Sequence, residues 1–376
     1  MKYIQDLRNN LVNIPGWRTK RKIVVFESDD WGSIRMSSQK AFDNLRKAGY
    51  SVDSNYFTKN DILECSEDLE LLFAVLSSYR DKNGNYPCIT ANAVTANPDF
   101  EKIKEDSFAN YYKQIITETY SSYDKQGSTL DTWKQGIKDH LLYPQFHGRE
   151  HLNIWEWMRI LRTGNHREIQ AFNNKCILGL GGNVVSQRPD EYMAAFSFES
   201  EEEKNTHKYI ITEGLDLFEK IFGFRSVSFI APCGVHPLHL DSVLRTSGVK
   251  YIQGGRQYNQ KEEGKLVPTN RFWGYKNSEG QYFWRRNATF EPSRNPDFDW
   301  VSSVLSEIQV AFRWGKPAVI NSHRVNYVGS INTANRDNTL RLLKLLLSEI
   351  LKKYPQVEFM SSDQLGDLIS QNNQNP

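Results

Sequence analysis

The chain is poor in cysteine. Its four, Cys65, Cys88, Cys176 and Cys233, show no paired spacing, which excludes a disulfide framework and a cysteine-held zinc site. No apolar run approaches the ~18 residues of a membrane-spanning helix. Residues 1–20 carry Lys2, Asp6, Arg8 and Pro15, without the apolar stretch and small-residue cleavage site of a secretory leader, so the expected compartment is the cytoplasm. Net charge is also scarce. Lys and Arg number 47 against 45 Asp and Glu, and the resulting +2 excludes a nucleic-acid footprint or a polybasic membrane patch. No internal repeat is present. What remains, 39% hydrophobic and 24% charged, is a globular composition. Aromatic residues are plentiful at 12%, and such rings stack on sugar faces as well as filling cores.

Periodicity gives alternating strands and helices. β-Branched or apolar runs that end in turn residues predict strands over 22–28, 87–95, 141–146, 226–231, 251–255, 318–322 and 357–360. Helical patterns lie between them, over 39–48, 69–79, 153–162, 201–222, 239–247, 301–314 and 337–353. Residues 100–138 read as irregular helix and loop, 163–198 as an insertion, and 256–300 as aromatic-rich loop. Gly179-Leu-Gly-Gly-Asn183 lacks the Lys-Ser/Thr ending of a phosphate loop and reads as a plain loop. This order predicts an α/β protein with a parallel sheet and outer helices.

The polar residues that matter follow strands. Asp29-Asp30 closes the first, His147 the third, the Pro232 turn the fourth, and His323 the strand over 318–322. In a βα barrel these ends share one rim, where active sites are built. His147 and His151 are four apart, a spacing that lets two imidazoles hold one metal if a helix begins there. Chance gives roughly 0.15 such pairs in a chain of this composition.

These stretches resemble the polysaccharide deacetylases of the NodB-homology type, metal-dependent carbohydrate esterases. The matching motifs are Ser28-Asp29-Asp30, His147-x-x-x-His151, Ile230-Ala-Pro-Cys-Gly234, Asp297-Phe-Asp-Trp300 and Val319-Ile-Asn-Ser-His323, in the family's order. The resemblance implies a distorted (β/α) barrel of about seven strands over residues 21–370. Around it are an N-terminal arm (1–20), insertions near 100–138, 163–198 and 256–300, and a polar tail (371–376). It implies removal of an acetyl group from an amino sugar or polysaccharide precursor by metal-activated water. Asp30, His147 and His151 would hold one divalent metal, zinc first, with cobalt or nickel as alternatives. Asp29 would be the general base, His323 the general acid, and the backbone N–H of Cys233 an oxyanion donor. The family's base-orienting arginine falls on Ile230, so Arg149 and Arg324 are the candidate replacements. The expected partner is a carbohydrate. Trp31, His236, Trp273, Trp284 and Trp300, with Tyr275, are candidate substrate contacts. Two other readings stay open: a carbohydrate-binding protein that has lost catalysis, and a metal-dependent amidohydrolase acting on a non-sugar amide.

Overall fold

The computed structural model describes residues 9–123, 128–179, 192–261 and 264–372. Its sheet is built outward from β1 (Lys22–Trp31), where Ile-Val-Val-Phe supplies stiff side chains for both faces. The other strands are β2 (Ile89–Val94), β3 (Leu142–Gly148), β4 (Ser228–Phe229), β5 (Tyr251–Ile252), β6 (Tyr282–Phe283), β7 (Ala288–Thr289), β8 (Ala318–His323) and β9 (Val357–Phe359). They form a 9-stranded sheet in the order β6-β5-β4-β3-β2-β1-β8-β7, with β9 on the first residues of β1. Every pairing in it is parallel. The helices include α1 (Gln39–Lys47), α2 (Ser66–Leu76), α3 (Thr129–Lys138), α4 (Ile154–Arg162), α5 (Glu201–Phe222), α6 (Leu240–Thr246), α7 (Trp300–Arg313), α8 (Thr333–Lys353) and α9 (Ser362–Asn372). This is the expected distorted barrel, with two more strands than foreseen.

The two extra strands are β6 and β7, each two residues long and too short to show a period. They are the opposite edges of the curled sheet, yet only residues 284–287 separate them in the chain. A connection that short spans at most ~18 Å, so it draws the two edges together and closes the barrel as a covalent seam. Residues 256–300 therefore do more than loop outward. They also carry an antiparallel hairpin, Arg256–Gln260 against Leu266–Asn270. Residues 129–138 form a regular helix, α3, where irregular structure was expected; its buried Trp133 fixes it against the core. Most of the glycine cluster over 179–183 lies outside the described residues.

Inside the barrel the polarity is layered. At the N-terminal end Ile23, Val25, Val319 and Trp284 meet Leu365 and Ile369 of α9, an apolar plug. Each of those two α9 side chains, fully buried, contributes ~1.5–3 kcal/mol. Two residues further along β1 the inward face turns to Glu27, and two further to Asp29. Residues 9–19 are sewn onto this frame. Trp17 N–H donates to the Trp273 carbonyl at 2.8 Å, and the fully buried Lys316 ammonium donates to the carbonyls of Pro15, Gly16 and Trp17. Gly16 is required there, because a Cβ would sit 2.1 Å from the Trp273 oxygen. No helix among the described residues is long and apolar enough to cross a membrane.

Edge strand β7 is clipped to α7 by Glu307, whose carboxylate accepts the Thr289 N–H at 2.9 Å. Burial pushes the Glu307 carboxyl up to about 7. The unfolded chain ionises near 4.5 and the folded one near 7, so stability falls as pH rises through that window and the penalty persists above it. Glu307→Gln keeps the acceptor without the charge. It should stabilise the fold by on the order of 1–3 kcal/mol at pH 8 and hardly at pH 4.5, as read by urea denaturation.

Candidate metal centre

Two β-bulges build the site. Opposite β2, β1 slips register between Ser28 and Trp31, so Asp29 and Asp30 together face Asn92. Asp30 takes a left-handed φ of 75°, rare for a residue with a side chain. On a regular strand neighbours point to opposite faces; the bulge turns both carboxylates into the barrel mouth. β3 slips in the same way between Phe146 and Gly148, which leaves His147 as the extra residue. His151 follows in the loop before α4, so the histidine pair spans a strand end and a loop. The helix expected over 153–162 begins at Ile154, capped by Asn153, after the pair.

Asp30, His147 and His151 each present a ligand atom within 4.8 Å of the others, and all three are buried. His151 Nε2 is 3.0 Å and His147 Nε2 3.5 Å from the same oxygen, Asp30 Oδ1. His147 Nδ1 is 2.8 Å from the Ile230 carbonyl, an acceptor, so that nitrogen carries the proton and Nε2 is left with a lone pair. That Nε2 is buried without a hydrogen-bond partner among the described residues. A lone pair facing a carboxylate oxygen is satisfied by a cation placed between them. Burial opposes ionisation of Asp30, but the adjacent His151 overrides it and holds the carboxyl well below the usual range.

Asp29 is held differently. Arg286, on the seam, donates Nη1 to Asp29 Oδ2 at 2.6 Å and Nη2 to Oδ1 at 2.7 Å, a bidentate fork. Its Nε donates to Glu27 at 2.6 Å, and Asn92 donates to Asp29 at 2.8 Å. Burial pushes the Asp29 carboxyl up, and Arg286 more than reverses it, leaving the carboxylate ionised throughout the ordinary range. Arg149 and Arg324 do not reach Asp29. Arg149 is bound to Glu150 and Glu213, behind the histidine turn, and Arg324 to Asp61 and Glu64. The orienting cation is thus Arg286, and Ile230 contributes a carbonyl to His147.

His323 is level with Asp29 on the adjacent β8, its Nε2 4.0 Å from Asp29 Oδ2. Its Nδ1 lies 2.5 Å from Glu291, which outweighs burial and lifts the imidazole to about 9. Asp297 and Asp299 are exposed, and Asp299 caps α7, so the acid beside His323 is Glu291. Asp29, Asp30, His147, His151, His323 and Cys233 line one cavity of about 430 Å³. Cys233 stands on a turn with φ 54°. The tryptophans do not line it. Trp31 is packed against Trp133 and Tyr327, Trp273 and Trp284 are fully buried, and Trp300 is held to the Asn295 carbonyl. His236 is buried against Asp241, and Tyr275 packs on Phe272 and Phe283.

A count of charge points the same way as the orphaned nitrogen. Glu27, Asp29 and Glu291 are linked through Arg286 and His323, and Asp30, Asp61 and Glu64 through Arg35 and Arg324. Three carboxylates against two cations in each of these two neighbouring, largely buried clusters leave two negative charges in all, and a divalent cation cancels them.

No family model matches the chain, and no curated protein matches it. Solved structures that resemble it include a candidate polysaccharide deacetylase from Mycobacterium smegmatis, 11% identical, TM-score 0.45, covering 96% of this chain and 95% of that one. PuuE allantoinase is 11% identical with TM-score 0.43, covering 93% and 91%. A 4-alpha-glucanotransferase from Thermococcus litoralis is 9% identical with TM-score 0.44; the match covers 92% of this chain and spans 40% of that protein's length.

Removing Arg286 alone leaves Glu27 and Asp29 uncompensated in the interior. Arg286→Met should cost about 3–5 kcal/mol in urea denaturation of the metal-free protein. Adding Glu27→Gln and Asp29→Asn in that background should recover part of the loss, since the two carboxylates that Arg286 compensated are then neutral.

Proposed function

We propose that this chain is a metal-dependent hydrolase that removes an acetyl group from an amino sugar or a related carbohydrate. The observation that supports it is the division of one cavity into three parts. There is a ligand set of Asp30, His147 and His151, a carboxylate held ionised by Arg286, and an imidazolium held charged by Glu291. Zinc is the first choice for two imidazoles and a carboxylate, with cobalt and nickel next. When bound, a divalent cation supplies Lewis acidity to the scissile carbonyl and makes water more acidic.

The chain's own groups then have separate tasks. Asp29 takes a proton from water as the water oxygen bonds to the acyl carbon. The Cys233 backbone N–H is assigned to the developing oxyanion. His323 gives its proton to the departing nitrogen as the carbon–nitrogen bond breaks. Arg286 keeps Asp29 oriented and ionised. An arrangement of this kind is what the resemblance to polysaccharide deacetylases implies, with Arg286 and Glu291 supplied from new positions. The burial of every predicted tryptophan wall favours, as second reading, a small non-sugar amide in the same site.

The deciding experiment is acetate release by zinc-loaded protein from a panel of N-acetylated sugars beside simple N-acyl amides. Release from sugars supports the first reading, release from amides alone the second, and release from none refutes both. Asp29→Asn should keep metal content near normal and lower turnover by on the order of 10²–10⁴. Asp30→Ala should lose metal and turnover together. Equal metal loss in the two variants contradicts the division of tasks.

A further inference from the structure

The same cavity holds a guanidinium that these steps do not use. Arg35 lines the cavity and is 8% exposed, yet its side chain makes no hydrogen bond among the described residues, and its buried Nε has no hydrogen-bond partner there. Its loop is well fixed. The Ile34 N–H donates to Asn97, and the Arg35 carbonyl accepts from Ile177. The guanidinium lies over the Phe57 ring at 4.8 Å, and the same ring meets His323 edge-on at 5.3 Å. Two carboxylates face Arg35. Asp61 is 3.4 Å from Nε but is already held bidentately by Arg324, and Asp30 is 4.0 Å from Nη2 and belongs to the metal ligand set. A buried N–H without a hydrogen bond is costly, and a guanidinium on the cavity wall with no hydrogen bond of its own has donors to offer a ligand. Phe57 is the only Phe, Tyr or Trp among the cavity's described lining residues, and Arg35 covers one face of its ring. Arg285 adds a further cation to the cavity wall.

We infer that Arg35 is the residue that sets specificity, and that the substrate carries an oxyanion, a phosphate or a carboxylate, which this fork receives beside the reacting acyl group. Guanidinium suits the task better than ammonium because its parallel N–H groups match two oxyanion oxygens. With a divalent cation in place the six carboxylates are balanced, so an anion enters without facing net negative charge. The inference deepens the hydrolase reading and rests on it only for where the reacting group lies.

The test is calorimetry on zinc-loaded protein with four probes: sulfate as the bare oxyanion, N-acetylglucosamine, its 1-phosphate and its 6-phosphate. Wild type should bind sulfate, and Arg35→Gln should weaken that binding at least tenfold, the order expected for lost charge-assisted bonds. At least one sugar phosphate should bind ten times more tightly than the neutral sugar, and Arg35→Gln should shrink the ratio to within about threefold. Arg35→Lys, which keeps charge without the fork, should fall between, and it decides the matter if the glutamine variant fails to fold. A wild type that binds neither sulfate nor a sugar phosphate preferentially, or a preference unchanged by substitution at Arg35, overturns the assignment. Arg35-dependent sulfate binding without acetate release from any sugar upholds Arg35 and removes the sugar hydrolase reading instead.

Discussion

Arg286 gripping Glu27 and Asp29 is the interaction on which the rest of this structure depends. It lies on the four-residue seam that joins the two edges of the sheet, so the contact that closes the barrel also charges its mouth. Trp284, also on the seam, donates its indole N–H to Glu27 at 2.7 Å, and Ser362 at the start of α9 donates to the same oxygen at 2.8 Å. The seam, the first strand and the C-terminal helix thus meet at one carboxylate. A buried ion pair of this kind is poor evidence of stability in itself, because well-packed apolar residues often serve as well. Its value here lies in holding an ionised carboxylate at a fixed place beside the histidines, where burial alone would neutralise it.

The two bulges follow the same logic. Regular pairing would have sent Asp30 outward, away from His147 and His151, and would have paired His147 with Val94 of β2. One extra residue on each strand brings three ligands to one point while the neighbouring Asp29 keeps its own partner. The left-handed backbone at Asp30 is the local cost, on the order of 1–3 kcal/mol, that the surrounding pairing must offset.

Much of this was legible in the residues. Seven of the nine main strands announce themselves through β-branched runs, and the polar residues at their ends mark the rim. Asp29, Asp30, His147, His151 and His323 stand out because acids and histidines there have no packing role. The base-orienting cation was not legible. Arg286 sits between strands of two residues each, in a stretch whose aromatic content looks like loop, and nothing local distinguishes it from Arg285. Glu27 did carry a signal, a charge directly after the apolar Ile-Val-Val-Phe run of a buried strand, which calls for an internal cation. The tryptophans misled for a physical reason: large rings that stack on sugars are the same rings that fill cores, and only burial separates the two uses. The histidine spacing did not need the helix that would make i and i+4 neighbours, since a bulged strand end and the loop after it bring the two together as well.

The central claim is that an uncompensated pair of negative charges and an orphaned imidazole lone pair mark a divalent-metal site bounded by Asp30, His147 and His151. Crystals of the protein grown with zinc, measured on both sides of the zinc absorption edge, test it directly. A single strong anomalous peak within bonding distance of those three side chains is the predicted result. A map with no peak there, or with zinc bound only at surface residues, would contradict it.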